Sequence, residues 1–207
     1  MKTRRTGMIS GGVILVLAVF FIMYFSFKNK EDRKPPVLPS AIQMNVFSGE
    51  NPPFNFSFEY PRAWRVMFRN YEGDYDMVEI LNAGVENSAT VPGFFITKSS
   101  LREAGTLEVL MDSWIKEENR YRGFALASRQ EIQIAGQEAL QAEYRYKTKL
   151  PLRTAGAPDT VIKKKHIVLI REDYSIQITF AGDEEQFNFL QPIFDHVLAT
   201  FRFADQA

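Results

Sequence analysis

The chain carries two histidines and no cysteine, which narrows its chemistry before any fold is considered. Without thiols there are no disulfides, thiolate nucleophiles, cysteine-bound metals or lipid-modified amino-terminal Cys. His166 stands directly after Lys163, Lys164 and Lys165, a neighbourhood that disfavours both a proton and a metal cation. His196 follows Asp195, but adjacent helix positions diverge by about 100° and do not chelate together. Both histidines read as structural or surface residues, because a metal site needs several convergent ligands. Glu72, Asp74 and Asp76 in NYEGDYD look superficially like a calcium loop; the distal bidentate Glu is missing, and a solvated acidic turn accounts for them. There is no Gly-rich phosphate loop and no Gly-x-Ser-x-Gly elbow. No catalytic, cofactor-binding or metal-binding residue is assigned, and the chain is expected not to be an enzyme.

One set of residues points to binding. Arg145, Lys147, Lys149, Arg153, Lys163, Lys164 and Lys165 lie on two strands and the loop between them, with Glu143 and Asp159 the acids nearby in sequence. Lysines that protect a sheet edge from aggregation explain some of these, but not so many with so few acids. The set is the expected partner-binding surface, for an acidic protein face or anionic lipid headgroups. Net charge is zero, so no global field draws the protein to nucleic acid or an anionic membrane, and any such preference must be local. The aromatic residues Phe54, Phe56, Phe58, Tyr60 and Trp64 are read as core rather than as a ligand site, since large aromatics are mostly buried.

These residues need elements to position them. Val161–Arg171 and Tyr174–Ala181 flank the polar link Glu172-Asp173 and read as an antiparallel hairpin. A helix follows, with Asp183 as its cap and Gln186 three residues on, as in a capping box. Phe187, Leu190, Phe194, Val197, Leu198 and Phe201 form its apolar stripe, carried through Pro192 by a kink or a restart. Upstream, Leu107, Leu110, Met111, Trp114 and Ile115 mark a second helix, opened at Thr106 and left by Gly123. Strands are read at Phe54–Tyr60, ending at Pro61 and returning through Trp64, Val66 and Phe68. Others lie at Asp76–Leu81, Gly93–Ser99, Leu126–Ile134 and Gln137–Lys147, with a possible last strand at Phe201–Phe203. Ala135-Gly136 makes a tight turn, and Leu150–Thr160 a long loop. Strands in runs, with two one-sided helices, give an α+β fold: a largely antiparallel β-sheet sandwiched by helices.

The amino-terminal part is different. Residues 1–7 form a basic tail with Lys2, Arg4 and Arg5. Residues 8–27 carry no charge, about the ~20 residues that cross ~30 Å of hydrocarbon as a transmembrane helix. The exit Tyr24-Phe25-Ser26-Phe27 is too bulky for signal cleavage, so the span is expected to stay as an anchor. Residues 28–41 hold Pro35, Pro36 and Pro39 and read as a stalk, and residues 42–207 as the domain. Basic residues flank both ends of the span. The dilution of the trailing cluster by Glu31 and Asp32 and the short basic tail favour a cytoplasmic amino terminus and an extracytoplasmic domain.

Three stretches together resemble the PsbP family: FSFEYPRAWRV at 56–66, IQIAGQEALQAEYRY at 132–146, and YSIQITFAGDEEQF with FDHVLATFRF between 174 and 203. They are similar to that family's Tyr-Pro strand end with a nearby Trp, its strand–Gly–strand pattern, and its closing strand, capped helix and Phe-x-Phe. The resemblance implies an antiparallel sheet between helices, a fold also found in a small nuclear Ran-binding protein and in bacterial envelope proteins. It implies an accessory or assembly factor of a membrane complex. The alternative is an envelope small-ligand or metal-binding module.

The native chain should therefore keep residues 8–27. Intact mass of the membrane-extracted protein checks this, as does protease access in right-side-out vesicles; a mature chain beginning near Lys28 would contradict it.

Overall fold

The computed structural model describes residues 42–49, 54–71, 75–82, 93–101, 105–149 and 158–206. The uncharged run at 8–27, the stalk, most of the loop after Lys149 and the acidic residues Glu72 and Asp74 lie outside them. Among the described residues no helix is long and apolar enough to cross a membrane.

The carboxy-terminal hairpin forms as its sequence dictates. Strand β8 (Asp159–Arg171) turns at Glu172, which adopts φ 54°, and returns as β9 (Tyr174–Asp183). Asp183 then caps α2 (Glu184–Thr200), accepting from the Gln186 amide at 2.9 Å, and α2 runs unbroken through Pro192. Its buried face is Phe187, Leu190, Ile193, Phe194 and Val197. The earlier helix, α1 (Leu107–Glu118), has Thr106 as its cap. It ends five residues before Gly123, because Arg120 and Tyr121 close tighter turns onto Glu117 and Glu118; Gly123, at φ 67°, then reverses the chain within the turn that Phe124 closes onto Tyr121.

The remaining strands are β1 (Met44–Ser48), β2 (Phe56–Pro61), β3 (Arg65–Tyr71), β4 (Tyr75–Leu81), β5 (Gly93–Ser100), β6 (Ala125–Ile134), β7 (Gln137–Lys149) and β10 (Arg202–Phe203). They make two antiparallel sheets, one of seven strands in the order β3-β4-β5-β9-β8-β7-β6 and one of three in the order β1-β2-β10. The sequence pattern suggested that β2 turns straight back into its neighbour. Instead β2 and β3, joined through Arg62–Trp64, belong to different sheets. β2 pairs with β1, unanticipated from sequence, and with β10. Gly93 is needed where β4 and β5 approach: a Cβ there would lie 2.4 Å from the Ile80 carbonyl oxygen.

The large sheet is covered on both faces. On one lie α2 and the phenylalanines of β1 and β2, where Phe58 packs edge-on to Phe94 and stacks parallel to Phe201. On the other lies α1, over Leu140, Ala142, Tyr144, Tyr146, Ile162 and Val168. The aromatic strand face is thus core. Phe68 is the exception to the alternation, mostly exposed on the outermost strand, β3.

Trp64 is buried against Phe94, with ring centroids 6.1 Å apart, while Trp114 lies flat on His166 at 4.2 Å. Truncating either to Ala should lower stability by ~3–5 kcal/mol, the range for large aromatic deletions. Urea denaturation checks this, and an unchanged midpoint would mark the residue as outside the core.

Candidate functional site

Alternation of side chains along a strand sorts the basic residues more than their spacing in sequence suggests. In β7, Tyr144 and Tyr146 point under α1 and Arg145, Lys147 and Lys149 to the opposite face, where they are exposed. β8 is paired so that Arg145 opposes Lys163, Tyr144 opposes Lys164 and Glu143 opposes Lys165. Lys164 therefore goes under α1, and Lys163 and Lys165 face α2.

Each lysine of β8 meets acids supplied by the helices. Lys164 donates to Glu118 of α1 at 2.9 Å and lies over the Tyr146 ring at 5.2 Å. Lys165, its side chain 5% exposed, sits between Asp195 of α2 at 3.1 Å and Glu143 at 3.4 Å, beside the Phe194 ring. Lys163 reaches Glu184 and Asn188 of α2, both at 3.1 Å. Lys164 and Lys165 are near-buried ions that depend on such partners, and removing one strands a charge in a poorly solvated place.

Arg145, Lys147 and Lys149 differ. None has an ionic partner among the described residues, and Asp159, opposite Lys149, is taken by Arg122 at 3.2 Å. Arg145 is no edge residue, being paired with Ala125 on one side and Lys163 on the other. Lys147 extends past the start of β6, and its amide donates to the Arg122 carbonyl at 2.8 Å. Arg153 lies outside the described residues. Of the seven basic residues the sequence singles out, three form an exposed, unneutralised row, and three are placed against helix acids that sequence proximity does not reveal.

The histidines are also placed. His166 is fully buried, stacked on Trp114, with Nδ1 2.7 Å from Thr179 Oγ1 and Nε2 without a hydrogen-bond partner. Burial, reinforced by the Lys164 charge, holds its pKa down at about 3. Trp114 donates through Nε1 to the Tyr144 hydroxyl at 2.8 Å, and burial raises the Tyr144 and Tyr146 phenols above the usual range. Such groups stay neutral and supply no base at ordinary pH. His196 pairs with Glu59 of β2 at 2.7 Å, joining α2 to the small sheet. Among the described residues no three His, Asp or Glu side chains converge as metal ligands. A cavity of about 380 Å³ opens between the start of α1 and the β6–β7 hairpin, lined in part by Glu108, Glu131 and Glu138.

This arrangement of two helices and two sheets among the described residues is a PsbP-like fold. It is similar to the solution structure of cyanobacterial PsbP (CyanoP) from Synechocystis sp. PCC 6803, with a TM-score of 0.54 and 16% identity over 81% of this chain and 97% of that one. It is similar also to LpqN, involved in cell envelope biogenesis of Mycobacterium tuberculosis, with a TM-score of 0.54 and 14% identity over 79% of this chain and 91% of that one. No family model matches the sequence, and no curated protein is similar to it in sequence.

The neutral His166 gives the domain a defined acid response. Its folded pKa of about 3 lies below the ordinary 6.5, so between those values the unfolded chain binds the extra proton. The stability it contributes is whole above pH 6.5 and declines as pH falls toward 3. His166→Asn should flatten the fall in urea midpoint between neutral and mildly acidic pH; an unchanged slope would assign the acid response to other groups.

Proposed function

We propose that this chain is a membrane-anchored, extracytoplasmic, non-catalytic accessory domain of a membrane complex, with the exposed cations of β7 as its contact to an acidic surface at the membrane. The carrying observation is the row Arg145, Lys147 and Lys149, left without counter-charge among the described residues while the lysines of the neighbouring strand are neutralised. Keeping like charges close costs repulsion in the free domain, and an opposing acidic surface relieves it. The uncharged run at 8–27 supplies the anchor. The PsbP-like fold agrees with an accessory role, since CyanoP and LpqN share it.

A second reading, a small-ligand module, rests on the acid-lined cavity beside α1. Here a cationic ligand would be bound at the far end of the strands from the basic row. Charge reversal separates the two. Arg145→Glu, Lys147→Glu and Lys149→Glu together should abolish the salt-sensitive part of co-migration in mild-detergent membrane extracts, while Glu131→Gln and Glu138→Gln leave it unchanged. If the folded triple variant associates as the native chain does at low and high salt, the docking reading fails.

A further inference from the structure

A net charge of zero conceals a polar arrangement along the strands. A row of paired residues, Arg65, Leu81, Gly93, Ala181, Lys164, Tyr144 and Leu126, crosses the large sheet near one end. At and beyond it lie the exposed cations Arg62, Arg65, Arg145, Lys147 and Lys149. None of these is in an ion pair among the described residues. The acids there are largely engaged: Glu184 pairs with Lys163, Asp159 with Arg122, and Asp183 caps α2, which leaves Glu185 exposed in the first turn of that helix. Toward the other end lie the exposed Glu172 and Asp173 of the β8–β9 turn, the exposed Glu108, Glu131 and Glu138 around the cavity, and Asp205, which holds Arg171.

The chain also enters the domain at the basic end. The Arg62 amide donates to the Gln43 carbonyl at 2.8 Å, which places the start of the described domain beside the turn into Arg65. Fifteen residues separate Phe27, the last of the uncharged run, from Gln43, and among them Lys28, Lys30, Arg33 and Lys34 outnumber Glu31 and Asp32. The two groups of cations, on β3 and β7, stand five strand spacings apart, roughly 24 Å at ~4.8 Å per step. That breadth suits a laminar charge better than a single acidic side chain.

We infer that the acidic surface met by this end is the anionic headgroup layer of the membrane that holds the chain, so that the strands stand with Arg62, Arg65, Arg145, Lys147 and Lys149 toward the lipid and the Glu172–Asp173 turn away from it. This deepens the docking reading above and rests on its anchor. Each basic residue near an anionic leaflet favours that placement by roughly fivefold, so the β7 row alone contributes on the order of 100-fold. The attraction fades beyond a Debye length, ~8 Å in physiological salt, so the domain must lie close to the surface.

Because the chain has no cysteine, single reporters are clean. The full chain, with a fluorophore on Ala125→Cys at the basic end or on Asp173→Cys at the acidic end, is reconstituted into phosphatidylcholine vesicles with and without phosphatidylglycerol, each doped with a headgroup quencher. With anionic lipid, the label at 125 should be quenched several-fold more than that at 173. The difference should shrink in neutral vesicles, at high salt, and when Arg145, Lys147 and Lys149 are reversed to Glu. Equal quenching at the two ends, or a preference indifferent to lipid charge and salt, overturns the inference. If in that case the chain still resists alkaline carbonate extraction, the anchor stands and the row is left for an acidic protein. If carbonate releases the chain, the anchored reading fails, and this inference with it.

Discussion

The arrangement depends on the register of β8 between β7 and β9. Side chains of a strand alternate between faces, so a slip of one residue exchanges everything the strand sends each way. In the observed register Ile167 and Leu169 enter the phenylalanine core under α2, while Ile162, His166 and Val168 pack beneath α1. The counter-charges are divided in the same way, Glu118 on α1 for Lys164, and Asp195 on α2 with Glu143 for Lys165. In a slipped register the run of three lysines would still offer a lysine to Glu118, but His166 would leave Trp114 and Thr179, and Ile167 and Val168 would exchange faces. Apolar burial alone would discriminate weakly, since β8 is apolar toward both faces. The contacts of His166 with Trp114 and Thr179 mark the register, and the Glu172–Asp173 turn closes the hairpin in the matching phase.

Much of this fold is legible wherever its determinants lie within a few residues of each other. Asp183 caps a helix whose stripe begins four residues on, Ala135-Gly136 takes the positive φ values of a two-residue hairpin, and Thr106 opens α1. What escapes a sequence reading is set by distant partners. Phe56 and Phe58 alternate as any half-buried strand does, and nothing local says that β2 will pair with β1 and β10 rather than with β3. In β1 the exposed apolar residue Val46 sits beside the buried Phe47, so its pattern names no clear inner face. The end of α1 illustrates a competing local choice, in which tighter turns after Glu118 finish the helix before the glycine is reached.

The candidate site divides along the same line. Its cations stand close together in the sequence and are easily found. The acids that neutralise some of them do not: Glu118 lies 46 residues from Lys164 and Asp195 lies 30 from Lys165. Counting nearby acids therefore overstates the free charge of β8. It does not overstate that of β7, because α2 lies across β8 and β9 and leaves the exposed face of the β7 end uncovered.

Composition is blind to the same distinction at the scale of the whole domain. Equal numbers of basic and acidic residues suggest an electrically indifferent protein, and for long-range attraction that is correct, since a neutral body has no net field to steer it. An oriented surface contact asks instead how the charges are distributed. The chain direction supplies the answer here: the strands flanking the β6–β7 turn and the β8–β9 turn itself carry acids to one end, while the β2–β3 turn and the far end of β7 carry cations without an ionic partner among the described residues to the other. A domain built this way is attracted or repelled according to which end it presents, so at a charged surface its affinity depends on its orientation. The PsbP-like scaffold supplies rigid strands that hold the two ends apart. Its response to a charged surface is set by side chains at those ends, and neither the fold nor identities of 16% and 14% to its structural relatives specify them.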